Sequence, residues 1–180
     1  QAGVVMANGS MSTNSGGEGQ IRANLVEADL VSAMVALPTQ LFRSTGIPVC
    51  VWFFAKNKQW TNDRRGQVLF IDARNLGHMV DRAERALSDD DIEQIAGSYR
   101  AWREGEYADV PGFCYSATLA EIKEADYALT PGRYVGTAAV EDDGVDLDEK
   151  VELSIRRLLV ALDESARLDA VVREQLGRLS

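Results

Sequence analysis

Apolar residues in the first eighty positions come in short runs closed by turn residues, whereas beyond them they recur at helical spacing. Ala2–Ala7 is a short apolar run closed by Asn8-Gly9-Ser10, which predicts a buried strand ending in a turn. Residues 10–19 are loop by composition. From residue 18 to 28 the apolar positions Ile21, Leu25 and Ala28 repeat at helical spacing, and residues 30–37 then read as a strand. In that strand Val31, Ala33, Val35 and Leu37 are expected on one face and Met34 and Ala36 on the other, the pattern of a sheet covered on both sides. Pro38 ends it. Residues 49–55, rich in β-branched and aromatic side chains, give the strongest strand signal, and residues 67–72 give another. The polar, basic stretch 56–65 between them reads as a hairpin loop. These elements predict an α/β sheet finishing in an antiparallel hairpin.

Beyond residue 75 the pattern turns mainly helical. Ser88 precedes Asp89-Asp90-Asp91, acids suited to a helix amino terminus, and Ile92, Ile95, Tyr99 and Trp102 continue as an apolar stripe. Residues 112–117 predict a short strand, and Thr118 with Glu121 has the spacing of a capping box. The chain is extended or turn-like around Pro131-Gly132, and the acidic stretch 141–150 reads as an exposed linker. Residues 151–179 form an amphipathic helix with Leu158, Leu162, Val172, Leu176 and Leu179 near heptad spacing, a seam that Ser165 and Asp169 interrupt. A partner-binding helix and a helix packed on its own domain both fit that stripe. The expected organisation is a sheet region over 1–80, a helical and irregular extension over 81–140, the linker 141–150 and the helix 151–180.

At 180 residues with 46% hydrophobic and 26% charged positions, the chain has an ordinary globular composition and no apolar run long enough to span a membrane. No signal peptide is evident, so a cytoplasmic location is expected. The net charge of −9 argues against a nucleic-acid partner, but it is unevenly spread. Residues 1–80 carry seven Lys or Arg against five Asp or Glu, and residues 81–180 carry twelve against twenty-three. That asymmetry fits one part of a larger assembly facing DNA as well as an acidic protein that binds none. His78, the only histidine, has no nucleophile elbow near it and reads as a surface or helix-start residue. Gly16, Gly17 and Gly19 lack the Lys-Ser/Thr of a phosphate loop and read as a flexible loop. Asp89-Asp90-Asp91 is explained by helix-start charge without a metal, and Cys50 and Cys114 are expected to be buried, inert thiols.

What remains is a set of three ordered landmarks rather than a catalytic motif. The first is Leu37-Pro38-Thr39-Gln40-Leu41-Phe42-Arg43-Ser44-Thr45-Gly46-Ile47-Pro48, the second is Gly66-Gln67-Val68-Leu69-Phe70-Ile71-Asp72-Ala73-Arg74, and the third is Leu129-Thr130-Pro131-Gly132-Arg133-Tyr134-Val135. Their order and spacing resemble the modification subunits of type I restriction-modification systems, adenine-specific DNA methyltransferases, over roughly residues 1–135. The resemblance implies the carboxy-terminal part of a Rossmann-like sheet in an S-adenosylmethionine-dependent methyltransferase, followed by a mainly helical tail. The family's Asn-Pro-Pro-aromatic motif and Gly-rich cofactor loop are absent: the only prolines are Pro38, Pro48, Pro111 and Pro131. Ala7-Asn8-Gly9 also departs from the family, which often has proline after that strand. No catalytic or cofactor residue carries over, and the parent enzyme, not this stretch, is expected to bind S-adenosylmethionine.

An enzyme acting on a base in DNA flips it from the stack and holds it by stacking and edge hydrogen bonds. By resemblance Thr45, Gly46, Ile47 and Pro48 form a wall of that pocket, and Phe53 is a candidate to stack on the flipped adenine, or a core aromatic. Lys56, Lys58, Arg64 and Arg65 on the predicted hairpin are candidates for phosphate contacts. The partners implied are DNA and the specificity and restriction subunits, with the 151–180 helix docking the specificity subunit. The competing readings are a non-catalytic assembly module and another amino-methyltransferase of the same broad class, such as a single-chain restriction enzyme.

Overall fold

The computed structural model describes residues 1–42, 46–59, 61–137 and 147–177, and in the last stretch not the side chains of residues 147–150, 153, 170, 171 and 173–177. They form two compact units, Gln1–Ala139 and Val140–Ser180. The first is built on a five-stranded sheet of β1 (Ala2–Ala7), β2 (Val31–Ala36), β3 (Val49–Phe54), β4 (Gln67–Asp72) and β7 (Cys114–Thr118), in the order β1-β3-β2-β4-β7. β3 pairs antiparallel with both β1 and β2, β2 is parallel to β4, and β7 is antiparallel to β4. Thus β1, β2 and β4 run one way, and β3 and β7 the other.

The sheet does not finish in the predicted hairpin. β3 and β4 are not neighbours, because β2 lies between them. The stretch expected to turn tightly instead crosses the start of β2: Ala55 N donates to Leu30 O at 2.9 Å, Lys58 Nζ reaches Asp29 Oδ1 at 2.5 Å, and Gly66 N donates to Asp29 Oδ2 at 3.1 Å. Asp29, just before β2, takes both ends of the crossing loop. A small hairpin does form where none was expected, between β5 (His78–Met79) and β6 (Arg85–Ala86).

Side chains alternate across the sheet into two cores. One holds Val26 of α1 (Glu18–Glu27), Met34, Trp52, Phe70, Ile122 of α3 (Leu119–Glu124) and Leu129. The other holds Ala33, Val35, Leu69, Ile71 and Trp102 of α2 (Asp89–Glu104), with Ile95 and Tyr99 packed on it. Helices therefore cover both faces, as the continuous apolar run of β2 requires. All six residues of β2 are buried. A bulge between Val31 and Ala33 moves Val31 to the Met34 face, whereas Ala33, Val35 and Leu37 share the other as expected.

Two expectations about burial fail. β1 is exposed along its whole length, since it is the sheet's edge and has one neighbour. In α1 the buried residues are Arg22 and Val26, while Ile21 is 60% exposed. Arg22 is buried because carbonyls and an amide take its charge: Nε donates to Tyr127 O, Nη1 to Thr13 O and Nη2 to Asn14 Oδ1, at 2.7–2.9 Å.

Local signals are faithfully realised. Ser88 and Asp91 close a capping box at the start of α2, and Thr118 and Glu121 close one at the start of α3. Cys50 and Cys114 are free and buried, and burial pushes the Cys50 thiol up. His78 is exposed. The last helix, α4 (Leu147–Gly177), begins within the stretch expected to be linker. Among the described residues no helix is long and apolar enough to cross a membrane, and no cluster of His, Cys, Asp or Glu fits a metal ion.

Candidate functional site

In an open sheet of this kind, ligands bind beyond the carboxyl ends of the parallel strands. Here that end is fixed by register. Ala7 of β1 and Ala36 of β2 face Val49 and Cys50 of β3, and Ala36 also faces Asp72 of β4. Beyond the strands, Asn8 N donates to Pro48 O, Leu37 N to Val49 O, and Ala73 N to Ala36 O. Residues 37–48 thus leave and re-enter the sheet at its carboxyl end. Ile47 is 60% exposed there, Pro48 is half-buried, and a Cβ at Gly46 would meet nothing within 4 Å. Thr45 lies outside the described residues.

The other two landmarks arrive at the same end. Asp72, at the end of β4, pairs with Arg74 at 2.5 Å, and this pairing holds the Arg74 guanidinium above its ordinary pKa. A Cβ on residue 132 would lie 2.6 Å from Arg74 Nη2 and 3.2 Å from Asp72 Oδ2, so the third landmark closes on the second at Gly132, and a side chain there would displace the end of Arg74. Tyr134 stacks on Phe70 with centroids 3.9 Å apart, and its hydroxyl donates to Ala128 O. Asn8, the Asp72–Arg74 pair and Gly132 were not singled out from the sequence. Asp72, Arg74 and Gly132 stand inside the landmarks, but their meeting is a tertiary fact.

The basic residues considered for phosphate contacts lie at the other end of the sheet. β3 runs from the carboxyl end, at Val49, to the amino end, where Phe54 faces Ala2 and Val31. Its six residues put roughly 17 Å between Pro48 and the 55–66 loop. Lys58 and Arg64 are not exposed cations at all. Lys58 is 3% exposed, bound to Asp29 and to Gln67 O, and burial lowers its pKa against the pull of Asp29. Arg64 is fully buried with its Cζ 4.9 Å from the Trp102 ring centroid. Lys56 and Arg65 are exposed, and Arg65 pairs with Asp63 at 2.7 Å. Phe53 is half-buried and stacks on Tyr99 of α2, centroids 5.2 Å apart, so the ring considered for the flipped base already has an aromatic partner.

The glycine loop turns directly into α1. Gly16 and Gly17, with φ of +60° and +85°, lead straight into α1, and a side chain at Gly19 would run into Asn14 Oδ1, which Arg22 holds. In the second unit Leu158, Leu162 and Val172 are 58%, 56% and 54% exposed. The Leu176 side chain and Leu179 lie outside what is described.

Comparison with known proteins agrees with this arrangement. A family model described as N-6 DNA Methylase matches residues 1–143. The chain is 50% identical over 177 residues to the type I restriction enzyme HindI methylase subunit of Haemophilus influenzae, covering 98% of this chain and 39% of that protein. It is 40% identical over 182 residues to the MjaIX methylase subunit of Methanocaldococcus jannaschii, covering 99% and 32%. It therefore spans less than half the length of these relatives. The crystal structure of a type I restriction-modification methyltransferase subunit from Streptococcus thermophilus superposes with a TM-score of 0.62 at 31% identity, over 73% of this chain and 26% of that one. With the family model matched over most of its length, the chain belongs to the N-6 DNA methylase family.

Proposed function

We propose that this chain is the carboxy-terminal part of the modification subunit of a type I restriction-modification system, an enzyme that transfers methyl from S-adenosylmethionine to the N6 amine of adenine in DNA. The observation that carries this reading is the convergence of all three landmarks at one end of the sheet, where Gly132 closes on Asp72 and Arg74 and Pro48 O accepts from Asn8 N. In the parent the sheet continues as a Rossmann-like sheet beyond the open edge of β1, and the missing portion supplies the Asn-Pro-Pro-aromatic motif and the cofactor loop. S-adenosylmethionine binds to that portion and supplies the methyl group. This chain supplies a wall of the target-base pocket: Thr45, Gly46, Ile47 and Pro48 lie alongside the extruded adenine, excluding water and limiting its tilt.

The test is Ile47→Asp in the full-length enzyme. A charge on the pocket wall should lower kcat/KM for methylation by about tenfold or more, the equivalent of roughly 1.4 kcal/mol, with thermal stability unchanged because the side chain is exposed. Unchanged methylation by the folded variant removes the wall from this loop.

The second unit serves assembly. α4 exposes Ile155, Leu158, Leu159 and Leu162, more apolar surface than an isolated helix keeps in water, and its partner in this reading is the specificity subunit of a complex that also carries the restriction subunit and DNA. Leu158→Asp with Leu162→Asp should abolish co-purification with the specificity subunit. Undiminished co-purification of a helical variant rejects that role.

A further inference from the structure

The small hairpin of β5 and β6 contributes no residue to either core, and His78 through Ala83 are exposed. With two residues in each strand it has too few cross-strand pairs to stand alone. Specific contacts hold it instead. Gly77 enters it at a φ of +82°, and a Cβ there would lie 2.6 Å from Ala86 O, a backbone atom that cannot swing aside, so only glycine lets the two strands come together. Arg85 Nη1 donates back to Leu76 O at 3.3 Å and to Gly77 O at 3.0 Å. At the tip Asp81 Oδ1 accepts from Ala83 N and Glu84 N at 2.7 and 2.9 Å. At the foot stands the Asp91 carboxylate that caps α2. Ser88 chiefly holds it below its ordinary pKa, and the Gly77 N–H and His78 lower it further.

On its other side the hairpin bonds to the 37–48 loop. Arg85 N donates to Gln40 O at 2.8 Å, and the Gln40 amide lies 3.5 Å from Arg82 O. Gln40 stands where that loop leaves the sheet, at a φ of +65°, a left-handed backbone that a residue with a Cβ disfavours. Such a conformation persists where its surroundings hold it, and here the Arg85 N–H does so. We propose that Arg85 is a positioning residue for methyl transfer: its guanidinium clamps the hairpin, which sets its own N–H against Gln40 O and thereby fixes the course of the loop toward Gly46, Ile47 and Pro48. This role rests on the reading of that loop as a wall of the target-base pocket. Arg85 itself touches neither base nor cofactor. Its contribution is preorganisation, since a wall already in place receives the extruded adenine without first being ordered, and a displaced wall misaligns the reacting amine. The linkage uses only groups of this chain between Gln40 and Asp91.

Methylation kinetics of the full-length enzyme with its specificity subunit, on unmethylated DNA and S-adenosylmethionine, test the role. Arg85→Ala should lower kcat by about tenfold or more while KM for DNA stays within about threefold, because the wall meets the adenine only after it has left the stack. Arg85→Lys, which keeps a cation able to reach the Leu76 and Gly77 carbonyls, should recover most of the loss. Gly77→Ala forces the same hairpin open from its other strand, so it should reproduce the Arg85→Ala pattern even if Arg85→Ala itself does not fold. The double variant should be no slower than the slower single one, since both act through one element. Val80→Ser, at the exposed tip, should leave both constants unchanged. A kcat in Arg85→Ala or Gly77→Ala equal to that of the parent, a loss carried by KM alone, or no recovery in Arg85→Lys overturns the proposal. A parent enzyme that methylates no adenine removes the base-pocket reading and this role with it, whereas an active parent beside variants of equal kcat removes the role alone.

Discussion

β1 and β2 are nearly the same strand on paper. Ala-Gly-Val-Val-Met-Ala and Val-Ser-Ala-Met-Val-Ala have equal length and similar hydrophobicity, and both pair antiparallel with β3. Every residue of β1 is nonetheless exposed and every residue of β2 buried. The difference is position. β2 has a strand on each side and a helix layer over each face, whereas β1 has one neighbour and Val4, Val5 and Met6 facing solvent. An apolar strand with an open edge ordinarily invites pairing with more chain.

This contrast can be broken most forcefully at Met34. Met34→Ala, deep in β2 at 0% exposure, should destabilise the chain by about 2–5 kcal/mol in denaturant unfolding. A loss below about 1 kcal/mol would mean that β2 is not the centre of the core. The cover over β4, the neighbour of β2, gives a pH test. Burial pushes the Tyr134 phenol from an ordinary 10.0 up to about 12. Between those values the unfolded chain has lost the proton and the native chain keeps it, so stability falls as pH rises through the window. Tyr134→Phe should flatten that decline, by about 2.7 kcal/mol at most. An identical alkaline slope in both proteins would place Tyr134 in solvent. The smallest effect belongs to β1: Val5→Ala should change the stability of this chain by less than about 0.5 kcal/mol. A cost matching that of Met34→Ala would erase the distinction between the two strands.

What could be read from the sequence divides along the same physical line. Elements set by nearest neighbours were legible: the Ser88 and Thr118 caps, the apolar stripe ending at Trp102, and strands at 49–54 and 67–72 all depend on local pattern. Strand order was not. Nothing in residues 49–72 announces that β2 separates two consecutive strands, and the crossing loop is held by Asp29, which binds Lys58 and Gly66 from outside that segment. The same long-range pairing hides Lys58 in a loop whose composition suggests exposed cations, and Arg22 is buried by carbonyls as distant as Tyr127. For the candidate site, resemblance picked out three segments of the chain, while the meeting of two of them through Gly132, Asp72 and Arg74 required the fold. Phe53 gained a partner that the sequence did not announce, the Tyr99 ring of α2.

The central claim is that this carboxyl-end surface belongs to a DNA adenine methyltransferase. The most direct measurement incubates the full-length parent and its specificity subunit with DNA and methyl-labelled S-adenosylmethionine, then digests the DNA to nucleosides. The account predicts label in N6-methyldeoxyadenosine alone. Label in methylated cytidine, or none from a folded complex, would contradict it.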